Sequence, residues 1–321
     1  MGTTTLRLYQ PTDAEAVAKI YNSAAPGHRA ISAEQARFWE ETRDPKCRNA
    51  RWVKEADGQV VAYGEYSQWT LMFHPRRFNL EITVLPAWQR QGIGTVLYRH
   101  LEDALQPFDP LSLSAWVLES YPHWLRFYQD RGFQEEMRQS ESVLDLTTFD
   151  FAPYEGHQQR VEAKGFRIAT YQELEADPQR DRKVYELEDD LSRDVPQPDP
   201  YTPTSLEYFQ ARILRNPDFL PDAYFLMLHG DEYVGMSNFW RSTTPHHLQQ
   251  GLTGVRRAYR RQGIALALKL FGLRYAKERG TTHIRTDNAV GNEPMLAINR
   301  RLGFVPLPVW IGLKKTLKEE E

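Results

Sequence analysis

Two short stretches carry residue types that could do chemistry: Gln89-Arg90-Gln91-Gly92-Ile93-Gly94 and Arg260-Arg261-Gln262-Gly263-Ile264-Ala265. In each, a strand-like run ends at a valine, Val84 or Val255, the chain turns through the glycine, and apolar residues at helical spacing follow at once. Consecutive backbone N–H groups and the positive end of a helix dipole converge at such a junction, which makes a seat for a diphosphate. Small residues let phosphates approach the backbone, and Arg90, Arg260 and Arg261 can add charge-assisted contacts. Other nucleotide signatures fail on spacing, because no third glycine and no Gly-Lys-Ser/Thr completes them. A single loop of this kind reads as an ordinary turn. The weight comes from its recurrence.

The recurrence keeps register over a long distance. Val84, Gly92 and the Gly132-Phe133 pair return as Val255, Gly263 and Gly303-Phe304 at one constant offset of 171 residues. The chain is therefore a duplication. Elements that must position the loops recur in the same order. In the first copy, Arg51 to Lys54 and Val60 to Tyr66 flank Asp57-Gly58, a strong hairpin signal. Asn79 to Val84 and Ser112 to Val117 read as strands, Gly94 to Leu105 as a helix, and Val143 to Leu146 as a closing strand. In the second copy, Tyr224 to Leu228 turns at Gly230-Asp231 into Tyr233 to Phe239, followed by Leu252 to Val255, a helix from Ile264 to Lys277, and a strand from His283 to Thr286. This mixture predicts an α+β fold with helices on both faces of each sheet. Domains are expected at 1–150 and 166–321, joined by a linker over 151–165. The proline-rich run from Asp194 to Pro203 should be an extended loop; it either shapes a substrate pocket or clasps the domains together.

Bulk properties narrow the function classes. A chain of 321 residues with 41% hydrophobic and 26% charged residues suits two globular domains. The net charge of −3 gives no footprint for nucleic acid. No apolar run reaches the length of a membrane span and no signal peptide opens the sequence, so a cytoplasmic location is expected. Cys47 is the sole cysteine, which excludes an internal disulfide; its surroundings suggest a plain thiol. His74, His123 and His246-His247 share no metal-ligand spacing.

With these motifs in view, the sequence resembles the GNAT superfamily of N-acetyltransferases, in the tandem arrangement of mycothiol synthase-like bacterial enzymes. The hallmark loop of that superfamily matches both glycine stretches, and its second signature matches Phe127 to Phe133 and Asn288 to Phe304. The resemblance implies two domains of one fold, each a mixed, partly splayed sheet flanked by helices. It implies acetyl-CoA as the acyl donor, held where two parallel strands diverge, by the loops and by backbone N–H groups near Val84 and Val255.

It also implies roles for particular side chains. Tyr128 stands four residues before Gly132, where many relatives place a tyrosine acid; packing beneath the helix is the other reading. Glu81 stands on the strand leading to Val84, where relatives place a carboxylate base, although a solvent-facing carboxylate fits the same alternation. The second copy departs from this pattern, with Leu252 and Asn299 at the two positions. Asn299 can hydrogen-bond a sulfur or a pantetheine arm but cannot act as an acid. Asn288 and Asn292 either extend that lining or serve as caps. The second loop, with Arg256, Arg257, Arg260 and Arg261, is the more basic, which favours a well-occupied phosphate site. The expected activity is N-acetylation of a small-molecule or peptide amine by a monomer or homodimer. An acyl-CoA-binding regulator with one or both sites non-catalytic is the alternative.

Overall fold

The computed structural model describes residues 4–26 and 30–320. The first repeat runs β1 (Thr4–Leu8), α1 (Ala14–Ala24), α2 (Ala33–Glu41), β2 (Ala50–Ala56), β3 (Gln59–Ser67), β4 (Arg77–Val84), α3 (Ile93–Leu105), β5 (Ser112–Leu118), α4 (Pro122–Gln129) and β6 (Gln134–Asp145). The second runs α5 (His157–Glu162), β7 (Phe166–Thr170), α6 (Arg180–Ser192), α7 (Leu206–Phe209), β8 (Phe219–His229), β9 (Glu232–Arg241), β10 (His247–Val255), α8 (Ile264–Glu278), β11 (His283–Ala289), α9 (Glu293–Arg301), β12 (Val305–Pro306) and β13 (Trp310–Thr316).

Contacts divide these residues into two units, each assembled from more than one chain segment. Unit 1 comprises 1–138, 198–202 and 308–321; unit 2 comprises 139–197 and 203–307. The two differ from contiguous halves because each repeat sends its last strand away. Strand β13 lies antiparallel beside β5, from Ser112↔Thr316 to Leu118↔Trp310. Residues Gln139 to Asp145 of β6 pair in the same way with β11. Burial accounts for both placements. Ile311 and Leu313 enter the apolar core of unit 1, whereas Leu144 and Leu146 enter that of unit 2. The stretch expected as a linker, 151–165, carries α5, and Tyr154 and Val161 from it are buried in the unit 2 core.

Both sheets open in the same way. In unit 1 the β2–β3 hairpin turns at Asp57 and Gly58, both with positive φ, as a tight two-residue turn requires. Strand β4 runs antiparallel to β3 and parallel to β5, but its pairing with β5 covers only Arg77↔Ser112 to Asn79↔Ser114. Beyond that row Leu80 to Val84 diverges from β5. In unit 2, β10 pairs with β11 only from His247↔His283 to Gln249↔Arg285, and a bulge follows between Gln250 and Thr253. Helices hold the two faces. In unit 1, α3 buries Leu97, Leu101 and Leu105, and α1 buries Val17 and Ile20 against Val53 and Tyr63. In unit 2, α8 buries Leu268 and Leu270 on one face and α6 buries Val184, Leu187 and Leu191 on the other. Each such fully buried leucine stabilises its unit by about 1.5–3 kcal/mol.

Candidate active sites

The two glycine loops have one backbone. Arg90 and Arg261 share a φ of 62°, and Gly92 and Gly263 stand at 84° and 87° in the left-handed region. The first residue of each motif reaches back to the strand: Gln89 Nε2 donates to the Val84 carbonyl at 3.0 Å, and Arg260 Nε to the Val255 carbonyl at 2.9 Å. The first bonds to the motif glycines are made by the N–H of Val96 to Gly92 and of Ala267 to Gly263. The N–H groups of Ile93, Gly94 and Thr95, and of Ile264, Ala265 and Leu266, therefore lie in the first turn without a partner inside the helix. This is the donor set an anion needs.

Their surroundings differ. A Cβ on Gly92 would meet nothing within 4 Å, and Gln91 and Gly92 are exposed. A Cβ on Gly263 would stand 3.0 Å from the His157 ring, whose Nε2–H donates to the Gly263 carbonyl at 3.0 Å. Lys164 Nζ donates to the Gln262 carbonyl at 3.3 Å. The arginines around the second loop are paired within the chain: Arg256 with Asp190, and Arg257 and Arg260 with Asp194. These cations hold Asp194 down to about 2. The basic run is thus neutralised in part by carboxylates that the sequence reading did not connect with it.

In unit 1 the two acid–base candidates meet where β4 leaves β5. Tyr128 is 5% exposed, and its ring packs edge-on against Phe127 and Phe133. Its hydroxyl oxygen also accepts a hydrogen bond from the backbone N–H of Ile82 on β4. Burial first, then the nearby charge of Glu81, pushes the phenol well above its ordinary range. Glu81 is half-buried and accepts a hydrogen bond from Tyr63 of β3, a fully buried side chain. Burial, then the like charge of Glu65, raises the Glu81 carboxyl above the usual range. Glu65 is itself held by Arg43 at 2.9 Å and by Arg51. Tyr63 escaped the sequence reading; the β3–β4 register, Tyr63↔Thr83 and Glu65↔Glu81, places it diagonally across from Glu81. Cys47 has its thiol raised by burial and is no activated nucleophile.

Unit 1 also contains an open cleft beside the paired rows of β4 and β5. Ser114 and Trp116 of β5, with Trp69 and Met72, form its wall; Glu136 and Asp199 stand against Lys314 and Arg77. Asp199 comes from the proline-rich run, which is pinned by Thr202 N–H to the Leu71 carbonyl at 2.7 Å. Within unit 1 that run shapes a pocket.

In unit 2, Leu252 packs among apolar residues on the α6 face. Asn299 is 3% exposed; its Nδ2 donates to Asn288 Oδ1 at 2.7 Å, and its buried Oδ1 has no hydrogen-bond partner among the described residues. That orphaned oxygen is a fit for a polar ligand arm. The cap of α9 is Asn292, not Asn288, since Asn292 Oδ1 accepts from the Met295 N–H. Asn288 lies on β11 instead.

Among the described residues no helix is long and apolar enough to cross a membrane. No curated protein matches the chain in sequence. Solved structures do share its fold. A tandem GNAT protein from the clavulanic acid biosynthesis pathway aligns over 99% of this chain and 100% of its own, with a TM-score of 0.74 at 19% identity. A GCN5-related N-acetyltransferase from Sphaerobacter thermophilus aligns over 99% and 97%, with a TM-score of 0.69 at 20% identity. The model of the acetyltransferase (GNAT) family matches residues 14–133 and again 183–304, each match spanning one glycine loop and one Gly-Phe ending. With most of its length covered by these two matches, the chain belongs to the GNAT acetyltransferase family as a tandem member.

Proposed function

We propose that the protein moves an acetyl group from acetyl-CoA to a primary amine of a small molecule or peptide, and that unit 1 holds a complete set of reacting groups. The observation that supports this is the convergence of Tyr128 and Glu81 at the divergence of β4 from β5, beside an open diphosphate cradle. Acetyl-CoA is the acyl donor of the family, and the residues fit it. Gln91, Gly92, Ile93, Gly94 and Arg90 would hold the diphosphate, and the diverging edge of β4 offers backbone N–H groups up to Val84. Bound there, it supplies a thioester whose parent thiol has a pKa of roughly 8.5, so the leaving group departs readily.

The harder requirement is a neutral amine. A lysine-like amine near 10.4 must be brought down ~3.4 units at pH 7, roughly 4.6 kcal/mol, whereas an α-amine costs only about 1 kcal/mol. Glu81 answers that need. Its carboxylate is desolvated, so it is a stronger proton acceptor than an exposed glutamate, and Tyr63 fixes one of its oxygens. Tyr128 keeps its phenolic proton throughout the neutral range, while its oxygen accepts from the Ile82 N–H. Backbone N–H groups near Val84 are placed to hold a developing oxyanion. The cleft lined by Ser114 and Trp116 is the acceptor pocket in this reading.

The test is release of free thiol from acetyl-CoA in the presence of an α-amine, a lysine side-chain analogue and an amino-sugar. Thiol release matched by acetylated amine supports the proposal. Acetyl-CoA binding without release for every amine overturns it in favour of an acyl-CoA-binding regulator.

A further inference from the structure

Unit 2 has no carboxylate at the strand position that Glu81 holds in unit 1, yet it contains a second buried tyrosine–glutamate pair on the corresponding, α6-covered face. The Tyr224 hydroxyl on β8 donates to Glu188 Oε2 on α6 at 2.5 Å. Tyr224 is fully buried, while Glu188 is half-buried.

Three further observations define what this pair would take. The side chain of Asn238 hydrogen-bonds the same Tyr224 hydroxyl, and its buried Oδ1 has no hydrogen-bond partner among the described residues; the residue is 2% exposed. Gly251 sits at the bulge where β10 leaves β11, and a Cβ there would lie 2.3 Å from Asn238 Oδ1 and 2.5 Å from Trp240 Nε1. The orphaned oxygen therefore lies against the bulged segment of β10. Phe219 packs against both Trp240 and Tyr224, so aromatic rings flank the pair. Two acceptor oxygens, Glu188 and Asn238, thus flank one hydroxyl beside aromatic rings. Among the described residues no cation pairs with Glu188; the nearby charges are spent elsewhere, Asp181 on Arg180 and Tyr171, Asp190 on Arg256, and Lys183 on Asp177.

We propose that unit 2 holds a second amine-acceptor site, in which Glu188 removes the proton from a primary amine with an apolar or aromatic body, seated against Asn238 Oδ1. The site rests on the acetyl-transfer reading and adds a base that comes from a helix rather than from the diverging strand. In balance, the ammonium gives one proton to the Glu188 carboxylate. The N–C bond then forms as the C–S bond breaks, the second nitrogen proton leaves with the thiolate, and Glu188 returns its proton to solvent. Burial raises the Glu188 carboxyl to about 7, which lets it exchange that proton near neutral pH.

The experiment uses the full chain and two readouts. Binding of 2-phenylethylamine and tryptamine is measured by calorimetry without acetyl-CoA, with 2-phenylethanol as the uncharged control. Thiol release with the same amines is measured as a function of pH. Glu188→Gln should weaken binding of at least one amine about 10-fold or more, leave 2-phenylethanol unaffected, and remove an apparent pKa near 7 from the pH profile; general-base losses of about 100-fold or more are ordinary. Equal amine affinity and an unaltered pH profile in Glu188→Gln would overturn the assignment, as would no Glu188-dependent binding of either amine. If Glu188-dependent binding occurs but the wild-type chain releases no thiol, the amine site stands and the acetyl-transfer reading fails.

Discussion

The first and second glycine loops have the same backbone and opposite surroundings. Arg90 and Arg261 have one φ, Gly92 and Gly263 nearly so, and each loop is clasped to its strand by the first motif side chain. Yet the first is open, with nothing within 4 Å of a Cβ on Gly92, while His157 lies against the second. The second has more arginines, but Asp190 and Asp194 already occupy three of them. A count of basic residues therefore overstates the positive potential offered to a phosphate. What counts is the charge left over after tertiary pairing.

The strongest way to break this comparison is to fill the cradles one at a time. Gly92→Leu puts a side chain at φ 84°, in the path of the phosphates, and should cut acetyl-CoA affinity at one of two sites by more than about 100-fold. Calorimetry that still finds two unchanged sites would remove the loop from the cofactor's binding surface. Tyr128→Phe should come next. It should lower unit 1 turnover roughly 100-fold, the ordinary scale for a lost acid, with cofactor affinity held within about 3-fold. An unaltered rate would mean that Tyr128 is a packing residue only.

Smaller effects sharpen the contrast. The helix position occupied by Tyr98 in unit 1 is Lys269 in unit 2, where Nζ is buried and donates to Gln250 at 2.6 Å. Burial depresses this amine to about 7. Between about pH 7 and 10.5 the unfolded chain binds the proton that the folded one lacks, so stability rises with pH across that window. The penalty is complete below pH 7. Lys269→Met should thus raise Tm more at pH 6 than at pH 9.5, by about 4 °C or more, in thermal melts; a gain independent of pH would mean that the ammonium finds solvent. The smallest change expected is for Asp194→Asn, which releases Arg257 and Arg260 and should tighten CoA binding at the second loop about 3-fold at low salt. That gain should shrink at 1 M salt. Weaker binding would show that Asp194 holds the arginines in place for the phosphates.

Much of this was legible in the residues. The constant offset of 171 declared a duplication, the two valine-to-glycine junctions declared anion seats, and alternation around Glu81 left it facing a cleft or water. These are local signals, because periods of 2 and 3.6 residues and the demand for a left-handed glycine are set by the chain within a few positions. Tertiary structure decided the rest. It placed β6 and β13 in sheets away from their own repeats, since the burial of Leu144 and Ile311 depends on cores built by distant segments. It carried Asp194 to the second loop, Asp199 to the unit 1 cleft and Tyr224 to Glu188. Charge pairing and desolvation act through space over a few ångströms, and nothing in the order of residues records which distant side chains will share that space.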